Sequence, residues 1–268
     1  MRQLASLPAY DLPELREAHA VLWCCIARAL RGAGVPGVPD ALEPFEELVA
    51  PALDPRLLFT QTCGGPLVRE LAGRVRVLAT PCYAAPGCEG SDYRSLVLVH
   101  GDSAFEGLED LRGARCAVND PGSYSGVHAL RAEVAPLARE GRFFGEVQVT
   151  GSHLASVLRV RRGAADVAAI DCVTHALLAR HRPLALRDTR VLCRTAPAPA
   201  LPYVTRADAD DALVEALRAA LRAALSDPAT AEARTSLLID DVAIPPPSYG
   251  RIRQQDEMAT ARGYPTLQ

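Results

Sequence analysis

Apolar residues first recur at helical spacing between Asp11 and Gly32, where Leu15, Ala18, Leu22, Cys25, Ile26 and Ala29 fall on one face. Asp11 followed three residues later by Glu14, with Pro13 between them, has the spacing of a capping box with Asp in place of Ser or Thr, and Gly32 and Gly34 end the pattern. A short strand over 3–7 is expected before this helix. The apolar runs at 57–60 and 75–79 predict strands around a helix over 66–72, and 93–99 (YRSLVLV) predicts another strand. From there the alternation is regular. Helices are predicted over 105–111, 126–139, 153–161 and 173–180, and strands over 115–118, 146–150, 166–170 and 189–193. An extended segment at 201–205 leads into helices over 208–225 and 228–238, and PPPSYG breaks the chain before a last helix over 249–262. Strand and helix alternating at this spacing predict an α/β protein with a parallel sheet covered by helices.

Two segments rich in Pro and Gly, 81–92 and 197–202, punctuate the alternation. Read as chain crossings, they divide the protein into a first lobe from 1–92 and 201–268 and a second lobe from 93–200. Two α/β lobes joined in this way place a ligand cleft between them.

Composition narrows the classes. The chain has 268 residues, 49% hydrophobic and 23% charged, as expected of a folded protein rather than a disordered, collagenous or coiled-coil one. Its 29 basic residues are all Arg and face 32 acids, for a formal charge of −3, so no basic excess points to nucleic acid. No apolar run approaches the roughly 20 residues of a spanning helix, so no membrane insertion is expected. The opening MRQLASLPAYD has no apolar core and no cleavage site; the chain is read as periplasmic if a leader was removed and as cytoplasmic otherwise. Eight cysteines occur without a CxxC pair or zinc-ligand spacing, so no metal and no cofactor is expected. Cys24, Cys25, Cys116, Cys172 and Cys193 lie in apolar patterns and are read as core filling, whereas Cys82 and Cys88 flank a Pro/Gly loop and can bridge in an oxidising compartment.

The most informative segment is LEDLRGARCAVNDPGSYSGVHALR, 108–131. A strand runs into the loop DPGSYSG, which delivers the chain into a helix, so Ser123, Tyr124, Ser125 and Gly126 lie where the first helical amides lack intrahelical partners. Hydroxyls and amides at the positive end of a helix dipole suit an anion, although Ser123 or Ser125 equally suits a plain helix cap. The strand over 146–150 is followed by Ser152 and His153 at another helix start, and the strand over 166–170 by Asp171 at a third, where a carboxylate also serves as a cap. Carboxyl ends of parallel strands share one edge, so these starts can face one crevice. From the other lobe, strand ends contribute Tyr10, Thr62, Cys63 and Tyr83, with Gly64 and Gly65 permitting close backbone approach; Cys63 as a buried thiol and the tyrosines as packing rings remain the plain alternatives.

The order EDLRG, strand, DPGSYSG, strand, GSH and then GAADVAAIDCVTHALL resembles the type II periplasmic-binding-protein fold, specifically the phosphate/phosphite/phosphonate substrate-binding family of ABC transporters, over roughly 55–205. The resemblance implies two lobes, a small oxyanion ligand and an ABC permease as partner. A Ser-x-Ser-Gly loop and a downstream His hold phosphonate oxygens in that family. Carried over, these roles fall on Ser123, Tyr124, Ser125 and His153, and tyrosines from the other lobe, here Tyr10 and Tyr83, close over the ligand. Asp171 departs from the pattern, because a carboxylate beside a dianion is repulsive unless a proton or a ligand cation intervenes.

The leading expectation is a non-catalytic binding protein for phosphate, phosphite or phosphonate. The alternatives are an enzyme on the same scaffold, with Cys63 as nucleophile and His153 as base, or a cytoplasmic sensor. No Walker loop, HExxH, GxSxG or dinucleotide fingerprint supports the enzyme.

Overall fold

In the computed structural model, which describes residues 3–268, ten of the strands build two five-stranded sheets, and two further two-residue strands, Asp92–Tyr93 and Ala198–Pro199, lie outside them. They are β1 (Leu4–Ala5), β2 (Leu57–Gln61), β3 (Val75–Tyr83), β4 (Ser95–His100), β5 (Arg115–Val118), β6 (Glu146–Val149), β7 (Val167–Asp171), β8 (Thr189–Arg194), β9 (Tyr203–Arg206) and β10 (Ile239–Ala243). The principal helices are α1 (Arg16–Gly32), α2 (Gly64–Val68), α3 (Ala129–Val134), α4 (His153–Arg161), α5 (Cys172–His181), α6 (Asp211–Ser226), α7 (Ala231–Ser236) and α8 (Gly250–Ala261). The chain divides into two compact α/β units. The first comprises 1–84, 89–91 and 199–248, and the second 85–88, 92–198 and 249–268.

The first unit carries a sheet in the order β1-β2-β9-β3-β10. β1 pairs parallel with β2, whereas β9 runs antiparallel to both β2 and β3, and β10 antiparallel to β3. α1 supplies the stripe expected of it, with Leu22, Ile26 and Leu30 buried, and it packs against α6, which buries Leu217 and Leu221. Under α1 the rings of Trp23, Phe59 and Tyr203 stack in sequence, 5.9 and 5.1 Å between centroids. Two local expectations change here. The chain enters α1 through a 3₁₀ turn over Pro13–Leu15, and the Asp11 carboxylate accepts from Arg16 Nε at 3.2 Å instead of forming a capping box. Cys24 faces outward on α1 and is exposed, so it fills no core.

The second unit carries the order β6-β5-β7-β4-β8. β5, β6 and β7 are parallel, as the alternation predicts, but β4 is antiparallel to both β7 and β8, which makes the sheet mixed. Its core gathers Val97, Cys116, Val118, Leu130, Val134, Phe143, Phe144 and Val167. The same core takes in Ala259 of α8 and Tyr264 of the C-terminal tail.

That last contact corrects the expected boundary. Residues 249–268, expected with the first lobe, belong to the second unit. Arg131, 1% exposed, donates to the backbone oxygens of Tyr264 (3.2 Å), Asp256 (3.0 Å) and Pro265 and to the Asp256 carboxylate, while Phe143 and Phe144 N–H groups donate to Gln268 O at 2.7 and 3.0 Å. A buried guanidinium surrounded by these acceptors holds the tail where PPPSYG alone indicates only a break in the chain.

The structure does not pair Cys82 with Cys88. All eight cysteines are free thiols, Cys82 lies in the first unit and Cys88 in the second, and Cys88 Sγ stands 3.4 Å from Cys172 Sγ.

Candidate functional site

The second unit's sheet presents one edge at which three strands end and three helices begin. β5 ends at Val118, and the loop after it turns at Asp120, whose carboxylate accepts from Gly122 N at 2.7 Å and whose carbonyl accepts from Ser123 N at 3.0 Å. Ser123 then caps the following turn, its hydroxyl oxygen accepting from Gly126 N at 3.1 Å. That turn, Tyr124–His128, is wound as a π-helix: His128 N donates to Ser123 O, and Ala129 N to Tyr124 O. π turns widen the first coil of a helix and cluster at functional sites. A Cβ on Gly126 would come within 1.7 Å of Asn119 Oδ1 and 3.4 Å of His153 Cε1, so any larger residue there displaces the Asn119 side chain. Asn119 Oδ1 itself is buried and has no hydrogen-bond partner among the described residues.

His153 opens α4 after Ser152, whose hydroxyl caps the helix by accepting from Ala155 N at 3.1 Å. Its Nε2 lies 3.0 Å from Ser125 Oγ and 3.4 Å from Asp171 Oδ2. Ser125 Oγ is also 3.5 Å from Ser123 Oγ. Burial holds the His153 imidazole below its ordinary pKa, against the upward pull of the Asp171 charge, so the ring is neutral near pH 7. Asp171 caps α5. Its Oδ1 accepts from Thr174 N at 2.8 Å, and its Oδ2 accepts the Thr174 hydroxyl. With 4% of its side chain exposed, the carboxylate depends on these donors.

The structure therefore brings Ser123, Ser125, His153 and Asp171 into one connected cluster. Tyr124 sits in the same turn but points elsewhere, its hydroxyl donating to Gln255 Oε1 of α8 and its ring 6.2 Å from that of Tyr93. Two residues that support the cluster escaped the sequence reading. Ser95, at the start of β4 and in register with Asp171, donates through its hydroxyl to Ser125 O at 2.8 Å, and Asn119 meets Gly126 as described. The NDPG turn signal includes Asn119 but gives its side chain no ligand-facing role. Ser95 reads as an ordinary strand residue until the antiparallel entry of β4 brings it to this edge.

Ser125, His153 and Asp171 are the residue types of a hydrolytic triad, but the geometry differs. Both Ser125 and Asp171 approach the same nitrogen, Nε2, so the ring does not link acid and hydroxyl through its two nitrogens as a proton relay requires.

The first unit places its four expected residues around the ends of β2 and β3. Tyr10 adopts a left-handed backbone (φ 58°), and its ring meets that of Tyr83 edge-on, 5.5 Å between centroids and 81° between planes. Tyr83 OH accepts from Gln61 Nε2 at 2.9 Å, and the same amide donates to Leu201 O. A cavity of about 10 Å³, the size of one water molecule, is lined by Tyr10, Tyr83, Gln61, Leu7 and His19 among others. Burial pushes the His19 imidazole down to about 4 despite the nearby Asp11 charge. His19 falls on the Leu15–Leu22 stripe of α1, which is the signal that would have marked it as inward-facing. Thr62 is fully buried, and its Oγ1 has no hydrogen-bond partner among the described residues. Cys63 is buried just before α2 and belongs to a different unit from His153, whose Nε2 is engaged by Ser125 and Asp171.

Among the described residues no group of three or more His, Cys, Asp or Glu side chains is placed to hold a metal ion, and no helix is long and apolar enough to cross a membrane. Residues 56–245 match the family described as ABC transporter, phosphonate, periplasmic substrate-binding protein. The chain belongs to this family. Solved structures share the fold of this substrate-binding protein across nearly its whole length. XAC2383 from Xanthomonas citri, bound to chloride, is 20% identical with a TM-score of 0.73, covering 97% of either chain. PhnD1 from Prochlorococcus marinus in complex with methylphosphonate is 14% identical with a TM-score of 0.74, covering 97% of this chain and 98% of its own. A binding protein component of an ABC phosphonate transporter from Pseudomonas aeruginosa is 17% identical with a TM-score of 0.73, covering 98% and 88%. The substrate-binding protein is thus of the two-lobed periplasmic-binding fold. A search of curated proteins gives no match.

Proposed function

We propose that this substrate-binding protein takes a small tetrahedral oxyanion, phosphate, phosphite or a phosphonate, at the edge formed by Ser123, Tyr124, Ser125 and His153, and that it serves an ABC-type uptake system with a permease as partner. The observation that carries the reading is the meeting of Ser125 Oγ and His153 Nε2 at 3.0 Å, each at the start of a helix that follows a parallel strand. Helix starts supply amides and positive potential, and hydroxyls donate to ligand oxygens. Tyr124, its hydroxyl committed to Gln255, contributes its backbone amide. A neutral His153 acts as a hydrogen-bonding group rather than as a counter-charge. Asp171 is assigned to ligand selectivity, while Tyr10, Thr62, Cys63 and Tyr83 belong to the first unit.

The family membership supports binding over catalysis. So does the single-nitrogen arrangement at His153, which suits a rigid hydrogen-bond array better than a proton relay. The test is calorimetric titration with phosphate, phosphite, methylphosphonate and sulfate. Ser125→Ala and His153→Ala each delete one hydrogen bond to a charged ligand, a loss of about 1.5–3 kcal/mol, which corresponds to roughly 10- to 150-fold in Kd. Unchanged affinity in both variants sinks the assignment.

A further inference from the structure

The thiols of Cys88 and Cys172 stand 3.4 Å apart, closer than any role as independent core filling requires. Cys88 is half-buried on the short segment Ala85–Cys88, whose flanking residues belong to the first unit while it belongs to the second. Cys172 is 1% exposed and is the first residue of α5. Gly87 makes the approach possible: at φ 107° it adopts a backbone that side chains rarely take, and a Cβ on it would lie 3.1 Å from Cys172 Cβ and 3.4 Å from Cys172 Sγ. The turn is closed by Cys88 N donating to Ala85 O at 2.9 Å, which directs the Cys88 side chain at α5.

We propose that Cys88 and Cys172 are a dithiol that closes to a reversible disulfide by exchange with a small-molecule disulfide oxidant, pinning the Ala85–Cys88 segment to the start of α5. In the first step the half-exposed Cys88 sulfur attacks one sulfur of the oxidant RSSR while its proton passes to the Cys172 thiolate beside it, giving a mixed disulfide on Cys88, a Cys172 thiol and the leaving group RS−. In the second step Cys172 hands that proton to RS−, which leaves as the first RSH, and attacks the Cys88 sulfur, displacing the second RS−, which takes from solvent the proton that Cys172 had released to it at the outset. Two thiols are oxidised, one external disulfide is reduced, and no other co-reactant is needed. Exposure divides the roles, since the oxidant reaches the half-exposed Cys88 and not the buried Cys172. The hydrogen bond from the Cys88 thiol, outweighing burial, holds the Cys172 thiol below its ordinary range, and that bond, reinforced by burial, raises Cys88. Cys172 is thus the resolving thiolate, adjacent to the attacked sulfur. The bond does not depend on which anion the protein carries, so its test stands apart from the ligand assignment.

The protein, fully reduced and then equilibrated with oxidised glutathione at neutral pH, is alkylated and digested with trypsin. Cleavage at arginine places Cys88 in 77–94 and Cys172 in 163–180. Because 77–94 also carries Cys82, the experiment is run on Cys82→Ser and, in the unmodified chain, with fragmentation between positions 82 and 88. The expected product is a dithiothreitol-sensitive link between these two peptides, accompanied by a rise of several degrees in Tm. In Cys172→Ser the reaction stops with glutathione on Cys88 and without the Tm rise. Recovery of Cys88 alkylated or glutathionylated in the presence of an intact Cys172, or a Cys82–Cys88 link in the unmodified chain, overturns the proposal.

Discussion

Asp171→Asn separates the electrostatic role of this carboxylate from its role as a cap. The substituted side chain keeps an oxygen to accept from Thr174 N, now at 2.8 Å, so α5 retains its start and the backbone is undisturbed. What it loses is a buried negative charge, 4% exposed, 3.4 Å from His153 Nε2. His153 Nε2 is in turn 3.0 Å from Ser125 Oγ. An anion bonded to Ser125 and His153 therefore sits between about 4 and 9 Å from the carboxylate, and at an effective dielectric constant near 20 a unit charge at that range is repelled by about 2–4 kcal/mol. Removing the repulsion tightens binding of a simple anion by roughly 30- to 1,000-fold, at about 1.4 kcal/mol per decade. A phosphonate carrying an ammonium group gains less, or loses affinity, because the carboxylate is its counter-charge. The measurement is isothermal titration of both variants with methylphosphonate and with an aminoalkylphosphonate, with Tm recorded to confirm the retained cap. Equal Kd values for both ligands in both proteins would refute a role in selectivity and leave Asp171 as the cap of α5 alone.

Three further outcomes follow from the geometry. His19 is neutral in the fold, with its pKa lowered from 6.5 to about 4, so its contribution is complete above pH 6.5 and is lost as pH falls towards 4; the difference amounts to about 3 kcal/mol. Denaturant unfolding at pH 7 and pH 4 should show that acid-sensitive share disappear in His19→Gln, and an unchanged pH dependence in the variant contradicts the assignment. Gly126→Ala places a methyl 1.7 Å from Asn119 Oδ1, so the Asn119 side chain must leave its position and anion affinity is expected to fall at least about tenfold, alongside a loss of 1–3 kcal/mol in stability typical of overpacking; titration at wild-type affinity would show the edge to be more accommodating than its packing indicates. Asp256→Ala strips the carboxylate from the buried Arg131 and costs about 3 kcal/mol, at the lower end for a broken buried pair because Asp256 is 30% exposed. Protease digestion should then release the C-terminal segment, and an undiminished resistance would mean that the backbone acceptors suffice.

Much of the architecture was legible in local chemistry. Periodicity alone located α1, α4, α5 and α6 to within a few residues, because a helix that buries one face must repeat its apolar residues near every 3.6 positions. The motifs DPGSYSG and GSH announced helix starts after strands, since orphan amides need hydroxyl or carboxylate partners, and Ser123, Ser152 and Asp171 supply them. The sequence by itself also established the α/β class and the family resemblance. Tertiary structure alone decided which surface each element meets. α8 reads as a weakly patterned helix, and only the buried guanidinium of Arg131 and the core around Phe143 and Tyr264 assign it to the second unit. β10, with two aspartates in IDDVA, carries too little apolar alternation to announce a strand; it is one because it pairs with β3 at the sheet edge. Cys88 and Cys172 are 84 positions apart, and Ser95 lies 30 residues from the carbonyl it supports, so no local pattern relates them. Hydrophobic periodicity is a property of the nearest neighbours along the chain, whereas strand direction, tail docking and side-chain meetings depend on closing long loops around a shared core, which only the folded chain does.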